Sequence, residues 1–200
     1  MADLIWMIVK ALAGLICVGC LMRAYLQWLR LPAHNPLSQL CFKLTNWIVL
    51  PLRRAMSSPG LMDWASLLAA FLVTLVAVGF KATLFADQIS GEGPWGLPAG
   101  PGFLLLALVW MIGWWLRFLV FLLIAHVLMS WFGASPAAEA VRPVLAAMVE
   151  PMVGPIRQLL HKGRPQGLDF SPVVVFLLIQ VVLAAHEEID RGLNRVLFLI

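Results

Sequence analysis

The residues best placed for chemistry recur as two short phrases. Pro51-Leu52-Arg53-Arg54 is followed by Asp63, and Pro155-Ile156-Arg157 is followed by Asp169. Proline disfavours helix at the residue before it and removes a backbone donor, so the spacing predicts a bend that holds an arginine in place. The later aspartate can pair with that arginine. At the start of a helix its carboxylate also suits the positive end of the helix dipole. Two readings stay open. In one, the arginines engage phosphate headgroups and enforce orientation while the aspartates cap helices. In the other, Arg53, Arg54, Asp63, Arg157, Asp169 and Ser171 form a docking surface for a protein or ligand.

Four more polar side chains fall inside apolar runs: Arg23, Arg117, His126 and Gln180. Arg23 stands five residues before Trp28, and His126 five before Trp131, which sets both at one depth. Arg117 either snorkels to an aromatic belt of Trp110, Trp114 and Trp115 or meets a buried partner on an ion path. Gln180 can hydrogen-bond another helix. Cys17 and Cys20 make a CxxC in an apolar helical pattern, a setting that does not favour thiolate, and read as packing residues. With Cys41 they make no disulfide framework. His186, Glu187 and Glu188 read as a solvated helix end. No nucleophile–base pair, phosphate loop or metal cluster emerges, so neither enzyme activity nor a cofactor or metal is expected.

The elements that must position these residues are membrane spans. The 200 residues are 62% hydrophobic and 12% charged, with mean hydropathy +0.93. Soluble domains are about 45–50% apolar and about 25% charged. Spans are expected at roughly 4–29, 62–85, within 103–132, and at 172–187, each near the ~20 residues that cross the hydrocarbon. Ala65, Ala69, Val73 and Ala77 form a small-residue stripe for close helix contact. Ser171 is expected as an N-cap, with Pro172 at the first helical position.

The net charge of +4 collects in two turns rather than in any nucleic-acid module. Arg30, Lys43, Arg53 and Arg54 lie in one, and Arg142, Arg157, Lys162 and Arg164 in the other, whereas the Gly/Pro-rich 87–101 loop has no Lys or Arg. Basic residues favour the cytoplasm. Both termini are therefore expected outside, and the halves relate as parallel repeats. Leu37, Leu40, Cys41, Leu44, Trp47 and Ile48 recur at helical spacing, with Ser38, Gln39, Lys43, Thr45 and Asn46 on the other side. Val141, Val144, Leu145, Met148 and Met152 repeat the pattern, so each half should carry an amphipathic helix along the cytoplasmic interface.

The expected architecture is thus an all-α membrane protein with four transmembrane helices in two parallel two-helix repeats. The first repeat covers 1–86, an outer loop 87–101, the second repeat 102–190, and a short C-terminal tail 191–200. Leu21-Met22-Arg23…Gln27-Trp28, Asn35-Pro36-Leu37-Ser38-Gln39 and Pro51-Leu52-Arg53-Arg54 resemble the YggT family of bacterial integral membrane proteins. So do Ser130-Trp131…Pro151…Pro155-Ile156-Arg157 and Gly167-Leu168-Asp169-Phe170-Ser171-Pro172, and the likeness spans roughly 4–190. Three departures mark the copies. Asp63-Trp64-Ala65-Ser66 lacks the proline, Trp47 stands where Pro151 sits, and the second turn has a few extra residues. The resemblance implies a multi-pass inner-membrane protein without enzyme activity. Its associations are osmotic or ion homeostasis, division or nucleoid organisation, and, in plastid relatives, organelle division and cytochrome assembly.

Expected partners are membrane lipids including anionic headgroups, a membrane or cytoplasmic protein, and a second copy of the chain, with no direct nucleic-acid contact. The leading expectation is a scaffold or assembly factor acting through the basic turns. The alternative is an oligomeric channel, transporter or accessory subunit for ions or osmolytes, motivated by Arg117, Gln180 and Lys10.

Overall fold

The computed structural model describes residues 1–31, 36–56, 62–86, 89, 99–131, 136–161 and 169–198. Among them the chain is all-helical, with α1 (Ala2–Trp28), α2 (Pro36–Ala55), α3 (Trp64–Leu84), α4 (Ala99–Trp131), α5 (Pro136–His161) and α6 (Ser171–Phe198). Four helices are long and apolar enough to cross a membrane: α1, α3, most of α4, and α6. The loop expected at 87–101 lies outside the described residues through Pro98, apart from Ile89, and Ala99–Pro101 already belong to α4. Asn35, Ser135, Lys162, Arg164, Gly167 and Leu168 also lie outside them.

Each helix has a local cause. α1 ends in a left-handed residue, Arg30 at φ 54°. There the Arg30 N–H donates to Gln27 C=O and the Leu31 N–H to Leu26 C=O. That bond pair satisfies carbonyls the helix end would orphan and offsets the steric cost of a non-glycine residue there. α3 starts where Asp63 caps it, its carboxylate accepting the Ser66 N–H at 3.3 Å. α6 starts one residue earlier than expected. Val173 and Val174 N–H groups donate to Phe170 C=O, so Ser171 is inside the helix and not its N-cap. The capping acceptor is Asp169, which takes the Ser171 N–H at 2.9 Å; a carboxylate reaches back to the first turn more readily than a hydroxyl already wound into it.

The prolines do not end their helices. Pro51 lies within α2, and Pro143, Pro151 and Pro155 within α5. Each removes one backbone donor, yet Val49, Val149 and Val153 are buried on both sides of the prolines and hold the segments in place. The face of α2 that packs on the other helices is its small and polar one. Ser38, Cys41, Thr45 and Val49 are buried, whereas Leu40, Leu44 and Trp47 are exposed. Thr45 bonds back to Cys41 C=O at 2.7 Å, which removes its polarity, and Gly19 leaves room for its methyl group. On α5 the buried residues Val144, Leu145 and Met148 are those the periodicity picks out.

α1 packs most extensively on α3, and α4 on α6; α3 also lies on α4, and α1 touches α4. Ala65, Ala69 and Ala77 of the small-residue stripe are buried, as are Cys17 and Cys20, all without polar chemistry. Trp6 meets Trp110, Tyr25 meets Trp115, and the Tyr25 hydroxyl donates to Met148 C=O at 2.6 Å. α1 and α4 therefore run in one direction, with α2 and α5 at the same end. α6 continues to Phe198, and Leu197 and Phe198 are fully buried against α3 and α4 residues.

Candidate functional site

The two Pro-x-Arg phrases and their aspartates build ionic clusters at the end of the bundle that carries α2 and α5. In the first half Asp63 is fully buried, and Arg53 Nη2 donates to its Oδ2 at 2.5 Å. The Ser66 hydroxyl donates to the same oxygen at 2.7 Å, and Arg23 Nε lies 3.6 Å away. Arg23 is itself only 5% exposed. Its Nη1 donates to Asn46 Oδ1 at 2.7 Å, and its guanidinium stands 4.8 Å over the Phe42 ring. Arg53 Nη2 also reaches Gln27 Oε1 at 3.3 Å. One carboxylate thus serves two guanidiniums, and α1, α2 and α3 are tied together through it. Cys41 sits beside this cluster, and burial pushes its thiol up to about 11 against the opposing Arg23 charge.

The second half repeats the pair in another setting. Arg157 Nε donates to Asp169 Oδ2 at 2.8 Å, and Nη1 reaches both Glu150 oxygens at 3.3 and 3.1 Å. Burial raises the Asp169 carboxyl. The Ser171 hydrogen bonds and the Arg157 bond and charge outweigh that and hold it at about 2. The hydrogen bond to Asp169, with both carboxylates nearby, raises the Arg157 guanidinium above its ordinary value. His126 stands where the first half has Arg23 and lies within electrostatic reach of Arg157, Glu150 and Asp169. Its Nδ1 is buried with no hydrogen-bond partner among the described residues. Glu150 takes the place of Asn46, each five residues before its Pro-x-Arg proline.

The two clusters differ in burial and in sign. Asp63 is sealed, whereas Asp169 is 36% exposed. Two arginines face one acid in the first half; one arginine faces two acids in the second. Arg54 is exposed and joins neither cluster.

The remaining candidates lie elsewhere. Arg117 pairs with Glu187 at 3.1 Å, both about half exposed, and so reaches outward rather than into the core. Gln180 is half-buried and joins none of the clusters. His186 is buried with Nε2 against Val109 C=O at 2.7 Å, so it is a packed helix contact rather than a solvated end. No group of His, Cys, Asp or Glu among the described residues is arranged to hold a metal.

A polar network at the opposite end escaped the sequence reading. Buried Lys81 donates to Asn194 Oδ1 at 2.5 Å and stands 4.0 Å over the Phe198 ring. Asp190 Oδ1 accepts from Trp110 Nε1 at 2.8 Å and from Asn194 Nδ2 at 2.7 Å. Asp190 and Asn194 at i, i+4 on an apolar helix were the available signal. Asn46 and Glu150 were also missed, and matching the two phrases by their prolines would have found them.

The CCB3/YggT family model matches residues 2–84 and 105–186. "Uncharacterized protein YggT" of Escherichia coli K12 is 34% identical over 179 residues, covering 88% of this chain and 86% of that one. "Uncharacterized protein PA0392" of Pseudomonas aeruginosa is 31% identical over 182 residues, covering 88% and 84%. "Uncharacterized protein in proC 3'region" of Vibrio alginolyticus is 30% identical over 173 residues, covering 86% and 88%. No solved structure matches.

Proposed function

The chain belongs to the CCB3/YggT family, and from that premise we propose that it is a non-enzymatic scaffold or assembly factor of the bacterial inner membrane. Each half is a two-span repeat with an intervening helix at the cytoplasmic face, and both termini lie outside. The observation that carries this reading is that both halves tie their intervening helix to the next span by the same Arg–Asp pair, Arg53–Asp63 and Arg157–Asp169. Such a tie supports a fixed platform rather than a swinging turn. On the first platform Lys43 and Arg54 remain exposed and available to an acidic partner surface. Arg53 serves the platform's own structure, so the partner-facing charge falls to its neighbour.

The test is photo-crosslinking in native membranes from a photoreactive residue at the exposed position 50 of α2, in a chain that keeps Lys43 and Arg54 and in the same chain with Lys43→Glu/Arg54→Glu. One discrete protein adduct is expected, with at least a fivefold lower yield in the double variant at equal membrane insertion. An adduct unchanged by charge reversal, or lipid adducts alone, would overturn the reading. The buried Lys81–Asn194–Asp190 network favours a second reading, an ion-homeostasis subunit, because intramembrane ionisable residues commonly mark ion paths. Ion flux in liposomes that disappears with Lys81→Met would support it.

A further inference from the structure

The first half carries an apolar groove beside its ionic cluster. It has a volume of about 500 Å³ and is lined by Leu21, Ala24, Tyr25, Trp28, Leu67 and Trp115, with Met62 at its rim. That falls within the roughly 300–1,000 Å³ of small-molecule sites. Tyr25 stacks on Trp28 at 5.8 Å and meets Trp115 edge-on at 5.3 Å, so the wall is largely rigid aromatic surface.

The second half has the matching groove, lined by Ile124, Val127, Leu128 and Val173 where the first has Leu21, Ala24, Tyr25 and Leu67. It holds only about 190 Å³. Val127 replaces Ala24, and Phe176 and Pro172 close in from α6. The groove is therefore built twice and left open once.

Charge distinguishes the halves in the same sense. Beside the open groove, Arg23 and Arg53 outnumber Asp63, leaving one excess positive charge. Beside the closed groove, Glu150 and Asp169 outnumber Arg157. Arg53 Nη2 bonds Gln27 and Asp63, each one position along the chain from a residue that lines the groove, Trp28 and Met62. The Arg53 side chain is 41% exposed, and Nη2 makes both of its bonds, leaving Nε and Nη1 for a further acceptor. Arg30, exposed at the end of α1, adds a second cation two residues beyond Trp28.

We propose that this groove is a binding site for one anionic phospholipid, its acyl chain along Leu21, Ala24 and Leu67 and its phosphate on Arg53. Arginine presents a fork of donors that matches a phosphate. The site stands whether or not a protein partner is captured from position 50.

Delipidated full-length protein in detergent is titrated with dioleoyl phosphatidylglycerol, dioleoyl phosphatidylcholine and inorganic phosphate, and bound species are counted by native mass spectrometry. One phosphatidylglycerol per chain is expected, held at least tenfold more tightly than phosphatidylcholine. Arg53→Gln and Ala24→Leu should each weaken it about tenfold, and Val127→Leu should not. Ala24→Leu touches no ionic partner, so it decides the matter even if Arg53→Gln perturbs folding. Equal retention of the two lipids, no effect of Ala24→Leu, or displacement of phosphatidylglycerol by inorganic phosphate at equal concentration would overturn the site. The last result would mark a free-anion site instead.

Discussion

Replacing Asp63 by asparagine should destabilise the protein far more than the same change at Asp169. Both side chains accept the first-turn N–H of a span, and asparagine keeps that cap almost unchanged, so the comparison isolates charge. Asp63 is fully buried, and its partner Arg23 is 5% exposed. Removing one member of a buried pair strands the other and costs about 3–5 kcal/mol. Asp169 and Arg157 are 36% and 41% exposed, and Glu150 remains beside Arg157. An exposed pair of that kind is worth about 0–1 kcal/mol. The expected gap is therefore about 3 kcal/mol, or more than a hundredfold in the unfolding equilibrium. Denaturation by sodium dodecyl sulfate in mixed micelles, followed by tryptophan fluorescence, measures it. Adding Arg23→Met to Asp63→Asn should recover part of the loss by removing the stranded charge. If the two asparagine variants fall within about 1 kcal/mol of each other, the buried triplet does not anchor the first half and the reasoning fails.

Acid should weaken the second half in a defined window. The Asp169 carboxyl is held at about 2, below its ordinary value of 3.8, so its contribution is full above about pH 4 and fades as pH falls toward 2. Stability curves of the parent chain and Asp169→Asn should therefore converge over that range. Phe198 is fully buried, so Phe198→Ala should cost about 3 kcal/mol in the same assay; an unchanged midpoint would refute the packing of the end of α6. A methyl group at Gly113 would collide with the His186 ring and come within 3.1 Å of Arg117 Nη1, whereas one at Gly79 meets nothing within 4 Å. Gly113→Ala should then destabilise by about 1–3 kcal/mol, and Gly79→Ala should stabilise by about 0.5–1 kcal/mol.

The parts legible in the chain were those set by composition and short spacing. Runs of apolar residues announce the four spans because lipid leaves a helix as the simplest way to satisfy every backbone group. Arg53 and Asp63 were readable as partners because a helix end and a span start bracket so short a connection. That Pro51 and Pro155 lie inside their helices was not legible, because it depends on the side chains packed around them. The contact face of α2 was not legible for a related reason. In lipid, leucines and a tryptophan lose little by facing outward, so buried small residues such as Cys41 and Thr45 define the contact instead.

By itself the sequence determined the class, the number of spans and the recurrence of an arginine with a capping aspartate, because each depends on neighbours along the chain. Tertiary structure alone decided what each copy became. Arg23 meets Asn46 across 23 positions, and Lys81 meets Asn194 across 113; no spacing rule connects residues so far apart. Helix packing sealed one aspartate and left the other open, and it kept one groove wide and narrowed its counterpart. Those differences arise because burial and cavity shape are properties of neighbouring surfaces, which the linear pattern does not specify.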